Sequence, residues 1–250
     1  MLQGLIVDPV KNELTLVSDL VRQKTERPCI PVIGATTALE VAWKHFTEAT
    51  IGSDNLELGR EVKSLLQTSY FRLVISDDPV GVELCGALKN VVSIAAGIVD
   101  GLEQGDNTKS AILRIGFWEM IELMKELFPN RGVKDVTLEQ SCGIAELFVC
   151  MSHRSDVLPA VGTDVDVMNI VLGKALAQER RASVNGTPEL NEIRSQHVDG
   201  AEYAQVINAI LTKRNIAQRF PLFTAVNDIC QQKMSPRNFI DCLRRHPIHQ

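Results

Sequence analysis

Two kinds of hydrophobic periodicity divide the chain. Up to about residue 77, short β-prone runs alternate with amphipathic segments. GLIV (4–7) is a brief apolar run, and NELTLVSDLVRQKTE (12–26) sets Leu14, Val17, Leu20 and Val21 at helical spacing, with Asn12 as the expected N-cap. CIPVIGAT (29–36) reads as a strand that ends in a turn at Gly34, ALEVAWKHF (38–46) as a short helix and ATIG (49–52) as a strand. LELGREVKSLLQTS (56–69) places Leu58, Val62 and Leu65 on one helical face, and FRLVIS (71–76) reads as a strand closed by Asp77, Asp78 and Pro79. Strand–helix–strand alternation predicts an α/β layer.

Beyond that break, helical periods dominate. VGVELCGALKNVVSIAAGIVDGL (80–102) is apolar and rich in small residues, as a buried central helix would be. Helices are also predicted over 107–128, stopped by Pro129, and over 137–150, 166–178, 200–211 and 235–245. The last opens with Ser235 at the N-cap and Pro236 at the first helical position. The weakest order is expected at 129–136, 152–165 and 182–197. The pattern as a whole predicts an α/β part followed by a larger all-α part.

Composition narrows the function classes. The 250 residues are 45% hydrophobic and 23% charged, which is a globular mixture. A net charge of −5 and a pI near 5.6 argue against a dedicated nucleic-acid binder. No run of about 18 apolar residues is free of charge, so no membrane span is expected. The N-terminal stretch lacks the basic region of a secretory signal. The six cysteines form no C-x-x-C pair and read as free or buried thiols of a reducing compartment, with no metal site.

Lys89 is the most informative residue. It is the one charge after Glu83 in ELCGALKNVVSIAAG (83–97), and a lysine among small apolar neighbours needs a partner or must be neutral. Burial lowers a lysine's pKa toward the range of a general acid/base, whereas a snorkelling lysine would keep its charge in water. Asn90 beside it orients a ligand or caps a turn. GLEQGDNTKSA (101–111) is a glycine turn ahead of a helix, suited either to an anion or simply to chain reversal. Glu146, Cys150 and Arg154 are spaced by four, so one helical face would carry a carboxylate, a thiol and a guanidinium, either as a polar ligand site or as a surface ladder. The sequence contains no G-x-G-x-x-G and no G-x-x-x-x-G-K-[ST].

Taken in order, GALKNVVSIAAGIVDGLEQGDN (86–107), DNTKSAILRIGFWEM (106–120), SCGIAEL (141–147), RFPLFTAV (219–226) and FIDCLRRHP (239–247) resemble the cytosolic NAD-dependent glycerol-3-phosphate dehydrogenases. ATIG (49–52) fits the same series, and the resemblance runs from about residue 4 to the end, weakest over 152–200. It implies a partial Rossmann-type sheet, residues 1–77, as the C-terminal part of an NAD-binding domain whose first βα units lie outside this sequence. It implies an all-helical substrate domain over 78–250. It further implies a cytoplasmic enzyme that moves a hydride between NADH and dihydroxyacetone phosphate, working as a homodimer or with a related subunit.

By the same resemblance Lys89 is the general acid/base, and Asn90 contacts the substrate. Glu146 stands for an aspartate, Cys150 for a threonine, and Ser152-His153-Arg154-Ser155 for Gly-Gly-Arg-Asn, so Arg154 and Ser155 fall at the phosphate grip. Arg154 and Asp199 fall near the cofactor, with Asp199 replacing a glutamine. Val7 replaces a second lysine, and Gly34-Ala35-Thr36 replaces Gly-Ala-Asn. These departures set a second reading beside the dehydrogenase: a catalytically inactive paralogue that keeps the fold and acts as an interaction or dimerisation partner.

Overall fold

The structure, a computed structural model, describes residues 4–7, 14–152, 165–178 and 198–249. Its contacts group into two compact units: residues 1–87 with 120–149, and residues 88–119 with 150–250.

The first unit contains the strands. β1 (Leu5–Val7) and β2 (Leu14–Leu16) pair antiparallel, Leu5 opposite Leu16. β3 (Val32–Ile33), β4 (Thr47–Gly52) and β5 (Phe71–Ser76) form a second sheet in that order. β3 runs antiparallel to β4, whereas β4 and β5 are parallel and joined through α3 (Leu56–Leu66), a single βαβ crossover. Ala49, Ile51 and Leu73 are the centre of its core, with Val32, Val62, Phe71 and Ile75 packed around them. Asn55 caps α3, its Oδ1 accepting from the N–H groups of Glu57 and Leu58 at 3.0 and 3.1 Å. α1 (Val17–Thr25) and α2 (Ala38–Ala42) complete the alternation.

The helix expected from residue 12 starts at Val17 instead, because the alternating Leu14–Thr15–Leu16 extends as β2; Asn12 lies outside the described residues. Residues 129–136, expected to be loose, are tied down. Arg131 grips Asp19 through two nitrogens at 2.8 and 3.1 Å, and Lys134 reaches Asp77 at 2.6 Å. The other two segments expected to be loose fall almost wholly outside the described residues.

α4 (Pro79–Gly101) is long and apolar enough to cross a bilayer by length and composition, and all but its end residues are buried as in a core helix. Asp78 starts it: one carboxylate oxygen accepts from the Gly81 N–H at 2.7 Å, the other from the Lys134 N–H and the Thr137 hydroxyl at 2.8 and 2.7 Å. The continuous helix expected over 137–150 is broken into a 3₁₀ turn (Asp135–Glu139), a π-helical turn (Ser141–Ala145) and α6 (Glu146–Ser152). One tertiary contact and one local close approach accompany the break. Thr137 is held by Asp78, and Gly143 comes so near Leu138 that an added Cβ would lie 2.1 Å from the Leu138 carbonyl oxygen.

In the second unit the later half of α4 packs on α7 (Val165–Gln178) through a reciprocal pair of glycines. A Cβ on Gly97 would stand 2.1 Å from the Ile170 carbonyl oxygen, and one on Gly173 2.1 Å from that of Ile94. α5 (Asp106–Leu127), α8 (Asp199–Lys213), α9 (Pro221–Cys230) and α10 (Phe239–Leu243) supply the other helices described. α9 has Pro221 at its start, and no side chain of its own N-cap serves it. Glu119 does that work from α5, its two carboxylate oxygens accepting from the N–H groups of Leu222 and Phe223 at 2.7 and 3.0 Å. Near the C-terminus, Ser235 makes no capping hydrogen bond; a 3₁₀ turn (Pro236–Asn238) precedes the five-residue α10, in place of one helix over 235–245.

Candidate active site

The later turns of α4 carry the two residues with the strongest chemical claim. Lys89 is 3% exposed and Asn90 fully buried, as are the flanking Leu88, Val91, Val92 and Ile94 of the same helix. Ser93, one turn on, returns its hydroxyl to the Lys89 carbonyl at 3.0 Å, which keeps a polar side chain quiet in an apolar helix. The snorkelling alternative for Lys89 therefore fails on burial.

Asn90 is fixed by a residue that sequence reasoning missed. Asn169, on α7 and fully buried, donates through Nδ2 to Asn90 Oδ1 at 3.0 Å. Its own Oδ1 accepts from the Gly200 N–H at 3.0 Å. Gly200 has no room for a side chain, since a Cβ would meet Asn169 Oδ1 at 2.5 Å and the Asn90 carbonyl oxygen at 2.6 Å. One amide side chain thus joins α4, α7 and the first turn of α8. Asp199, predicted near the cofactor, opens that same turn and is half-buried. The only signal for Asn169 was an asparagine at a buried-looking position of VMNIVLGKAL, with nothing local to suggest its partner.

Glu146 begins α6 in the first unit and is 5% exposed. Cys150 lies on the same helix, and its side chain is outside what is described. Arg154 and Ser155 lie outside the described residues. The anion reading of 101–111 does not gain support. Lys109 Nζ is paired to Asp100 at 2.8 Å, and Gly105, at φ +79°, makes the left-handed reversal that glycine permits.

Buried α4 carboxyl and thiol groups are also displaced from their ordinary titration. Burial, foremost, pushes the Glu83 carboxyl up, partly offset by hydrogen bonding with Ser18, whose N–H donates to Oε1 at 3.0 Å. Cys85, two residues on, is held well above the usual thiol range, first by its hydrogen bond with Cys142 and then by burial.

The family model for the C-terminal region of NAD-dependent glycerol-3-phosphate dehydrogenase matches residues 78–241. The chain belongs to that family. Among curated relatives, the cytoplasmic glycerol-3-phosphate dehydrogenase [NAD(+)] of Drosophila melanogaster is 36% identical over 237 residues, an overlap of 94% of this chain and 60% of the fly protein. The cytoplasmic protein of Bos taurus is 36% identical over 244 residues, 97% of this chain and 65% of its own length. The structure of DsGPDH from Dunaliella salina superposes with a TM-score of 0.82 at 30% identity, covering 96% of this chain and 39% of the algal one. The glycerol-3-phosphate dehydrogenase structure from Plasmodium falciparum gives the same TM-score at 27% identity, covering 100% of this chain and 65% of its own. The chain therefore spans less than two thirds of the length of these family members. The partial Rossmann-type sheet with a larger helical part, expected from the sequence, is the architecture of the family over the shared region.

Proposed function

We propose that this chain carries the substrate-handling part of a cytoplasmic NAD-dependent glycerol-3-phosphate dehydrogenase, with Lys89 as general acid/base and Asn90 as a substrate-positioning residue. The observation that carries the reading is the buried Lys89–Asn90 pair, with Asn90 pinned by Asn169 to the turn of Gly200. The functional division falls at 77/78, which is supported by the start of the family match at residue 78.

NAD, when bound, supplies or accepts the hydride of the family reaction. The sequence contains no G-x-G-x-x-G loop of the kind that cradles a pyrophosphate, and the residues named here bear on the substrate and its proton. What they account for is the proton. In reduction of dihydroxyacetone phosphate, the Lys89 ammonium gives its proton to the carbonyl oxygen as that oxygen becomes an alkoxide; in oxidation, the neutral amine takes it back. Asn169 fixes the carbonyl end of the Asn90 amide, and so its plane, before substrate arrives. Arg154 and Ser155 are assigned to the phosphate, Glu146 and Cys150 to the substrate side, and Asp199, with Arg154, to the cofactor side, on the family resemblance.

NADH oxidation by dihydroxyacetone phosphate, measured with the complete protein, tests this. Turnover should fall at least ~100-fold in Lys89→Ala, the usual scale of a lost general acid. Equal turnover in the variant removes Lys89 from the role. The absence of turnover in the unsubstituted protein favours the inactive-paralogue reading. One feature supports a partner in either case. Leu39, Trp43 and Phe46 of the first unit are 55%, 63% and 73% exposed. Sedimentation equilibrium should give a dimer, and a concentration-independent monomer would refute the pairing.

A further inference from the structure

Ser235 leaves its hydroxyl unused. It makes no capping hydrogen bond, and the 3₁₀ turn Pro236–Asn238 stands between it and α10. The hydroxyl has no other partner among the described residues, and the serine is half-buried. The residue before a proline is steered out of the helical region, and Ser235 is accordingly extended, with φ −70° and ψ 134°.

The chain around it is open. Between α9 and α10, Gln231, Gln232 and Lys233 are exposed ahead of the serine, and Arg237 and Asn238 are exposed after it. Lys233 and Arg237 stand two positions to either side of Ser235, and neither has an ion-pair partner among the described residues. Other cations at the surface are engaged: Lys125 with Asp135, Arg131 with Asp19, Lys134 with Asp77 and Arg244 with Asp241. A serine or threonine precedes a proline at one other place, Thr187-Pro188, which lies outside the described residues.

We propose that Ser235 is a phosphorylation site for a proline-directed protein kinase, with Lys233 and Arg237 receiving the charge of the phosphate. The serine hydroxyl attacks the γ-phosphorus of a nucleoside triphosphate. The Oγ–P bond forms as the bond to the nucleoside diphosphate breaks, its electron pair leaving on the diphosphate oxygen. The hydroxyl proton passes to the catalytic aspartate of the kinase. Pro236 presents no N–H, so it suits a cleft that offers no acceptor at that position. The product carries a charge of about −2 and three acceptor oxygens, and a lysine and an arginine on either side supply charge-assisted donors. The 3₁₀ turn also packs on α7, the helix of Asn169, so the new charge arrives on an element that meets the candidate site.

The experiment is incubation of the native protein with a proline-directed kinase of the mitogen-activated class and magnesium ATP, followed by mass spectrometry. The intact mass should rise by about 80 Da, one phosphoryl group, and the digest should place it on Ser235. Ser235→Ala should abolish the label; its hydroxyl supports nothing in the fold, so this variant should fold. Pro236→Ala, which keeps the acceptor serine, should lose most of the label. In phosphorus NMR the second ionisation of the phosphate should fall below the ordinary value of about 6, and Lys233→Ala with Arg237→Ala should return it there. No incorporation, label on Thr187 alone, or label that survives Ser235→Ala overturns the proposal. An ionisation already at the ordinary value overturns the role of the two cations.

Discussion

Glu119 shows what one buried carboxylate can do for a helix elsewhere in the chain. It accepts the Leu222 and Phe223 N–H groups and a third hydrogen bond from His246 Nε2 at 2.8 Å. The Ile248 N–H donates to His246 Nδ1 at 3.1 Å, so Nδ1 is the acceptor and Nε2 carries the hydrogen that Glu119 receives. Glu119→Gln keeps one acceptor and turns the other into an NH₂ facing an N–H donor. It should cost about 1–3 kcal/mol in denaturant unfolding, the penalty of an unsatisfied buried donor. Glu83 gives a pH signature instead. Burial raises its carboxyl in the folded state above the unfolded value, so the folded protein binds more protons across that interval. Its contribution to stability is fully present below the ordinary glutamate range and is lost as pH rises through the raised value. Glu83→Gln, which cannot ionise, should gain relative to the unsubstituted protein between acid and neutral pH; urea midpoints that move in parallel would show that Glu83 does not titrate in this way.

At the scale of elements, the paired glycines of α4 and α7 set the tightest constraint. A side chain at Gly97 would enter the Ile170 carbonyl, so the helices must separate to admit one. Gly97→Leu should destabilise by about 3 kcal/mol or more, at the upper end of overpacking, and a thermal midpoint within two degrees of the parent would contradict this. Elements of this kind were readable in advance where one period dominated. β5 falls at 71–76 as expected, and α4 and α5 each begin and end within one residue of expectation. The departures share a physical cause. The 137–150 segment has helical spacing, yet Asp78 and the close approach of Gly143 to Leu138 impose turns of three different pitches. α9 has no local N-cap to announce it, because its cap is Glu119. The site divides in the same way. Lys89 stands out as a charge in an apolar helix, whereas Asn169 acquires meaning only from Asn90, 79 positions earlier.

For the whole molecule, the two tryptophans fall one in each compact unit, Trp43 in the first and Trp118 in the second. Trp118 stands edge-on to His246 with ring centroids 5.3 Å apart, so it sits beside the Glu119 cluster. Trp43→Phe leaves Trp118 as the fluorescent reporter of the second unit. In that background Glu119→Gln should shift the fluorescence unfolding midpoint to lower denaturant, and an unchanged Trp118 transition would separate the cluster from that unit's stability.

The Glu119 cluster also dictates an order of events during synthesis. Its partners lie 103, 104 and 127 positions further along the chain. At 5–20 residues per second, Glu119 leaves the ribosome on the order of ten seconds before the last of them. Until then the carboxylate has no reason to leave water, and the first turn of α9 has nothing to cap it. The second unit must therefore finish its core late, and by long-range closure rather than by helix growth from one end.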